Sequence, residues 1–168
     1  MKHISLLVNA GIAVLSFIPA AGQQPCLKEA WDSFNKKDYS AAVRAADDCI
    51  DQFAARAQRD QDALVTTRRA LPKVGAVSDL EKSDVFGRGV LNDTGAAYFV
   101  KGRSAEFIGK QRPKSNYINI AQQAYQRCVE LTYARTWDPQ GWFWSTSEAC
   151  KDRLNALGRS AGPRSQSH

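Results

Sequence analysis

The side chains with the most readily interpreted chemistry are four cysteines, Cys26, Cys49, Cys128 and Cys150. No two of them have the CxxC spacing of a redox motif or a paired-thiolate zinc site. Four cysteines allow three disulfide pairings, but Cys26 lies twelve residues before a turn predicted near Asp38, and Cys49 lies eleven after it. The other two cysteines flank a second predicted turn in the same way. This turn, rich in aromatic residues over 137–144, is called the aromatic corner below. Antiparallel helices would bring each pair level, so we expect the bridges Cys26–Cys49 and Cys128–Cys150.

Histidine is absent from most of the chain. His3 and His168 are the two present, one at each end. Serine and cysteine nucleophiles that depend on histidine are therefore not expected, and zinc and iron sites lose their commonest ligand. No glycine-rich phosphate loop follows a predicted strand, so nucleotide binding is unsupported as well. We predict no cofactor and no metal.

Carboxylates remain as the other candidates for chemistry. Asp47, Asp48 and Asp51 form an acidic group on one helix, which is typical of a solvated face. A glycosidase needs two carboxylates across a cleft, and the spacing identifies no such pair. Glu106, Glu130, Asp138 and Glu148 stand as single carboxylates. We therefore predict a protein without catalytic activity. A hydrolase that uses carboxylates alone is an alternative, in addition to the two binding functions given below.

The N-terminal residues 1–22 have the features of a secretory signal peptide. Lys2 precedes an apolar run over 4–18, and small residues follow at 19–22. Cleavage is expected after Gly22, with the position after Ala21 as the rival. The protein is then exported, periplasmic or secreted, which is where disulfides persist. No later apolar run is long enough to span a bilayer.

Charge gives a weaker indication of partners. The full chain carries a net charge of +6, spread along its length. In an exported protein, an anionic envelope glycan is a more available partner than nucleic acid. We do not expect the protein to bind nucleic acid. A solubilising surface explains the same excess of basic residues.

Helical spacing of apolar residues predicts an all-α fold. Antiparallel helical hairpins would be followed by a C-terminal capping helix, all within one domain over 23–158. The predicted parts are a first hairpin over 26–70, a linker over 71–90, a second hairpin with its capping helix over 91–158, and a disordered tail over 159–168.

An aromatic corner separates the last two predicted helices. Asp138 and Pro139 are expected to end the first helix, and Ser145 is expected to begin the next with a capping box to Glu148. The corner holds Trp137, Trp142, Phe143 and Trp144. These rings could plug the ends of both helices or form an exposed platform for a sugar ring or a peptide, and burial is the commoner use of such rings.

A repeated pattern links the two predicted hairpins. Ala42-x3-Ala46-x2-Cys49-Ile50 matches Ala121-x3-Tyr125-x2-Cys128-Val129. Ala30 lies twelve residues before the first of these segments, and Gly95 precedes the second. This order of small residue, aromatic residue, turn and small residue resembles a tetratricopeptide repeat.

That resemblance implies a scaffold that binds a protein or peptide in a groove lined by the first helix of each pair. The candidate contacts are then Lys28, Trp31, Asn35 and Asn92. The alternative function is carbohydrate or cell-wall binding at the aromatic corner, with flanking arginines. Its candidate residues are Trp137, Trp142, Trp144 and Arg135, with Arg127 and Arg153 nearby.

Overall fold

The structure of the protein, a computed structural model, describes residues 24–160. The expected signal peptide and residues 161–168 of the expected tail lie outside this range. The described residues form six helices and one two-stranded sheet: α1 Pro25–Asn35, α2 Tyr39–Thr66, α3 Asp79–Phe86, α4 Gly89–Gln111, α5 Tyr117–Glu130, β1 Arg135–Asp138, β2 Trp142–Ser145 and α6 Thr146–Ser160. The predicted helical class is confirmed, and the sheet was not predicted.

The first hairpin begins and turns where the sequence indicates. Pro25 occupies the first turn of α1, where its missing N–H costs no hydrogen bond. Asp38 is the cap that the sequence predicts for α2, and its side chain does accept a hydrogen bond from the Ala41 N–H at 3.0 Å. Cys26 and Cys49 are joined by a disulfide, with their Cα atoms 5.4 Å apart.

The second disulfide is also the predicted one. It joins Cys128 of α5 to Cys150 of α6, across a Cα separation of 6.1 Å. The described residues contain no free cysteine. Both helix pairs are therefore covalently braced, in agreement with the positions of the cysteines around the two turns.

Helix α4 is the central element of the fold. It packs on α2 and α5 most extensively and also contacts α1, α3, α6 and β1. The sequence predicts a helix capped by Asn92 or Asp93, with a short helical continuation over 104–108. The structure has one helix that includes this continuation but begins earlier, at Gly89, and Asn92 and Asp93 use their side chains in contacts outside the helix rather than as caps.

Three glycines seven residues apart allow other helices to approach α4 closely. A Cβ at Gly95 would lie 2.7 Å from that of Ala134, and one at Gly109 would lie 2.7 Å from Ile118 Cδ1. A Cβ at Gly102 would lie 2.4 Å from the ring of Tyr125, which is fully buried. The heptad spacing of these glycines was visible in the sequence but was not interpreted.

Gly102→Ala is expected to destabilise the protein by roughly 1–3 kcal/mol, because overpacking outweighs the helix propensity that alanine adds. Gly158 is a matched control, since it also lies in a helix but a Cβ there meets nothing within 4 Å. Gly158→Ala is expected to be neutral or slightly stabilising. Urea denaturation of both variants checks this, and equal unfolding midpoints would contradict the close approach of α4 and α5.

The aromatic corner is a β-hairpin, which corrects the predicted helix–corner–helix. Helix α5 ends at Glu130, and β1 pairs with β2 in an antiparallel register that places Trp137 opposite Phe143. Aromatic residues favour strands, and Gly141 adopts the positive φ (+104°) that the tight turn requires. Ser145 does cap α6, as predicted, by accepting a hydrogen bond from the Glu148 N–H at 3.3 Å.

The segment over 71–90 contains helix α3 and is fastened to the hairpin. Ser78 and Glu81 form a capping box at the start of α3. Gly75 pairs with Phe143 of β2 through two backbone hydrogen bonds, at 2.7 and 3.0 Å. The linker is thus an ordered part of the domain.

Within residues 24–160, no helix has the length and apolar character needed to cross a bilayer.

Candidate functional site

Six half-buried aromatic side chains form a continuous line of ring contacts across the first hairpin, α4 and β2. Neighbouring centroids are 4.7–6.3 Å apart, as in typical aromatic pairs. We call this set the aromatic row. Its members are Trp144, Phe99, Trp31, Phe34, Tyr39 and Phe107.

Helical spacing places these rings on one surface. Phe99, Arg103 and Phe107 are each four residues apart on α4, so they share a face of that helix. Trp31 and Phe34 of α1 pack over this face, with ring centroids 6.3 Å from Phe99 and 6.1 Å from Phe107 respectively. Each ring keeps part of its surface exposed. A row of this kind offers apolar contact area that the core does not use.

A group of positive charges adjoins the Phe107 end of the row. The guanidinium carbon of Arg103 lies 5.0 Å from the centroid of the Phe107 ring. Arg103 and Lys110 contact the carboxylate of Glu106 at 3.6 and 2.6 Å, and Arg153 of α6 contacts it as well. We call Arg103, Lys110 and Arg153 the cationic cluster.

Glu106 is the buried anion at the centre of this cluster. Its side chain is 3% exposed and accepts a hydrogen bond from Tyr125 Oη at 2.9 Å. Burial acts to raise the pKa of Glu106, but the hydrogen bonds from Arg153, Lys110 and Tyr125 outweigh it and hold the pKa below its ordinary value. Burial, together with the charge of Glu106, raises the pKa of Tyr125. Glu106 therefore remains ionised and joins α4, α5 and α6.

Two of the predicted binding residues serve the fold instead. Asn92 is buried, donates to the carbonyl of Val85 at 2.7 Å and accepts from the Arg135 N–H at 2.9 Å. Arg135 is 5% exposed, and its guanidinium donates to the carbonyl of Pro72 at 2.6 and 3.0 Å and to that of Ala134 at 2.8 Å. Neither side chain lies at the surface, and together they fasten the hairpin and the linker to α4.

The three tryptophans of the corner do not share one surface. Residues opposite each other in an antiparallel pair face the same way, and neighbours along a strand face opposite ways. Trp137 therefore faces the side of Phe143, where it packs at 4.9 Å between centroids, whereas Trp142 and Trp144 face the other side. Lys82 lies 4.1 Å from the centroid of Trp137 and so covers that ring.

The remaining predicted residues are at the surface or in local ion pairs. Lys28 is exposed and pairs with Asp32 at 2.6 Å. Asn35 is exposed at the end of α1, and Arg127 pairs with Glu130 at 2.5 Å. Trp31 and Trp144, which belong to the two rival predicted sites, lie in the same aromatic row. Sequence reasoning missed the other four rings and Glu106. Helical spacing could have indicated Arg103 and Lys110 as partners of Glu106, but Arg153 lies 47 residues away in the chain.

The part of the chain that the structure describes contains no group of three or more histidine, cysteine, aspartate or glutamate side chains placed to hold a metal ion. Comparison of the chain with protein-family models, curated proteins and solved structures finds no match. The aromatic row and the cationic cluster are therefore interpreted from their own geometry.

Proposed function

We propose that the protein is an exported, non-catalytic scaffold that binds an extended segment of a protein partner along the aromatic row. The observation that carries the proposal is the line of six half-buried rings contributed by four elements. Aromatic side chains dominate the energetics of protein interfaces because they bury a large area at a small cost in conformational entropy. Their partial exposure leaves that area for a partner.

The tetratricopeptide-like character of the hairpins supports a scaffold role. In α4 and α5, Gly109 and Ala121 are separated by the same 12 residues as Ala30 and Ala42 in α1 and α2. This pairing suits the repeat better than Gly95 does, because it needs no insertion. Gly109 permits a close helix approach, as the small residues of the repeat are expected to do. Trp31 lies on α1, the first helix of its pair.

A location outside the cytoplasm best fits the two disulfides. Both bridges are internal to the domain and join neighbouring helices. Bridges of this kind form and persist in oxidising compartments. The signal-like residues 1–22 support the same proposal.

Carbohydrate binding at the corner is the alternative, and the hairpin limits it. A platform of three tryptophans would need Trp137 on the same side as Trp142 and Trp144, whereas the register places it on the other. Lys82 also occupies one face of Trp137. A sugar ring would have to bind on the side of the hairpin that carries Trp142 and Trp144, of which Trp144 belongs to the aromatic row.

Selection of phage-displayed random peptides against the oxidised protein tests the proposal. We expect the selected peptides to be rich in aromatic and aliphatic residues. We expect Trp31→Ala to weaken their binding by about 30-fold, which corresponds to the roughly 2 kcal/mol typical of an interface anchor. Isothermal titration calorimetry with a selected synthetic peptide measures the change.

Trp137→Ala is the matched control, since it removes a half-buried tryptophan from outside the row. It should leave peptide affinity within about twofold, and circular dichroism should show both variants folded. Equal losses in the two variants would contradict a role for the row. A glycan that shifts the tryptophan fluorescence of the wild type but not of Trp144→Ala would favour the carbohydrate alternative.

A further inference from the structure

We infer that the partner segment bound along the aromatic row carries carboxylate side chains, which bind the cationic cluster at the Phe107 end of the row. This inference rests on the proposed function and names the chemistry of the partner. It depends on the charge balance around Glu106 and on the contact between the cluster and the row.

The charge balance at Glu106 differs from that of the other ion pairs in residues 24–160. Most of those pairs join one cation to one carboxylate, and Asp84 meets two arginines. Glu106 alone among these carboxylates meets three cations. Arg103, Lys110 and Arg153 form no ion pair with another carboxylate among the described residues, so three positive charges meet one negative charge at this site.

The cations are accessible, although the anion is not. The side chains of Lys110, Arg153 and Arg103 are 58%, 31% and 23% exposed, against 3% for Glu106. An ammonium group has three N–H donors and a guanidinium has five, so Glu106 uses only part of their capacity. A second carboxylate could bind from the solvent side while Glu106 holds the cations in place.

The cluster and the row meet at a single side chain. Arg103 lies over the Phe107 ring and also contacts Glu106, at 5.0 and 3.6 Å. Lys110 follows Phe107 by three residues on α4 and so lies on the same side of that helix. A segment whose apolar side chains cover the row would place its next residues against these cations. Charge complementarity therefore favours an acidic continuation of the segment.

Two synthetic peptides test the inference by fluorescence anisotropy. They share a segment of alternating phenylalanine and serine and differ only in a terminal run of glutamate or glutamine. We expect the glutamate peptide to bind about tenfold more tightly at low ionic strength, and the difference to shrink as salt screens the charges. Lys110→Gln should weaken the glutamate peptide about 3- to 5-fold and leave the glutamine peptide unchanged.

Lys114→Gln provides the matched control, because it removes one exposed positive charge outside the cluster. It should change neither affinity. Equal binding of the two peptides, or an equal effect of Lys114→Gln and Lys110→Gln, would overturn the inference. If Trp31→Ala abolishes binding of both peptides while Lys110→Gln has no effect, the proposed function stands and the acidic partner does not.

Two further outcomes distinguish failure of this inference from failure of the proposed function. If neither peptide binds the wild type, both the inference and the proposed function are overturned. If oligogalacturonate binds in a Lys110-dependent manner while the glutamate peptide does not bind, the cluster recognises an anionic glycan rather than a protein.

Discussion

Replacing both Cys128 and Cys150 with alanine is expected to lower the free energy of unfolding by about 4–5 kcal/mol. The bridge closes a loop between residues 22 positions apart, and the chain-entropy model assigns about 3 kcal/mol to a loop of this length. Both cysteines are fully buried, and Cys128 Sγ lies 3.7 Å from the carbonyl oxygen of Gly95 on α4, so loss of the two sulfur atoms leaves a cavity that adds roughly 1–2 kcal/mol. Chemical denaturation of the double variant measures the loss.

The first disulfide is a close control for the second. Cys26 and Cys49 are separated by 23 residues, so the entropic contribution is nearly equal. Cys26 is only half-buried, however, and the cavity left by Cys26→Ala/Cys49→Ala is expected to be smaller. We expect that variant to lose about 3 kcal/mol. A larger loss than in the Cys128/Cys150 variant would contradict the burial of the second bridge.

Glu106→Gln is expected to destabilise the protein by about 3 kcal/mol at neutral pH, which lowers the melting temperature by about 10 °C. The amide would point an N–H donor at cations that now contact carboxylate oxygens. It would also leave Arg153 without the charge that raises its pKa. The partial exposure of Lys110 and Arg153 keeps the expected cost at the low end for a buried ion pair.

The pH dependence of this effect follows from the pKa of Glu106. That pKa is lower in the folded state than the ordinary value of 4.5, so ionised Glu106 stabilises the fold above that pH. The contribution is lost as the pH falls through the folded-state pKa. The stability difference between wild type and Glu106→Gln should therefore shrink as the pH falls below 4.5, as thermal denaturation at several pH values would show.

Glu130→Gln makes the same chemical change at an exposed position. Glu130 pairs with Arg127 at 2.5 Å, but both side chains are about half exposed. This variant is expected to lose no more than about 0.5 kcal/mol at neutral pH. Comparable losses at Glu106 and Glu130 would show that burial and multiple cations do not determine the effect.

Local sequence patterns were sufficient to predict the features that depend on residues close together in the chain. The caps at Asp38 and Ser145 depend on residues three positions away, and both are confirmed. The cysteine pairing followed from equal distances to two turns, and this is confirmed although the second turn is a β-hairpin rather than a loop. The predicted cysteine pairing required only that the helices on either side of each turn be antiparallel.

Contacts distant in sequence were the part that local patterns could not supply. Arg103 and Lys110 are within four residues of Glu106 on the same helix, but Arg153 and Tyr125, which complete its surroundings, lie 47 and 19 residues away. The aromatic row draws on residues from 31 to 144, and none of its longer-range contacts is implied by helical spacing alone. Aromatic residues on both sides of Gly141 are compatible with a hairpin, whereas the helical spacing of the preceding residues predicts a helix that runs on to Asp138.

Pairing of Gly75 with Phe143 has a consequence for self-association. Phe143 lies in a strand whose backbone groups on that side would otherwise be unpaired, among exposed apolar residues such as Leu71 and Val74. Strand edges of this kind recruit further chains and lead to aggregation. Arg135 holds the carbonyl of Pro72, three residues before Gly75, so we expect its hydrogen bonds to help keep this edge covered and to oppose intermolecular strand exchange.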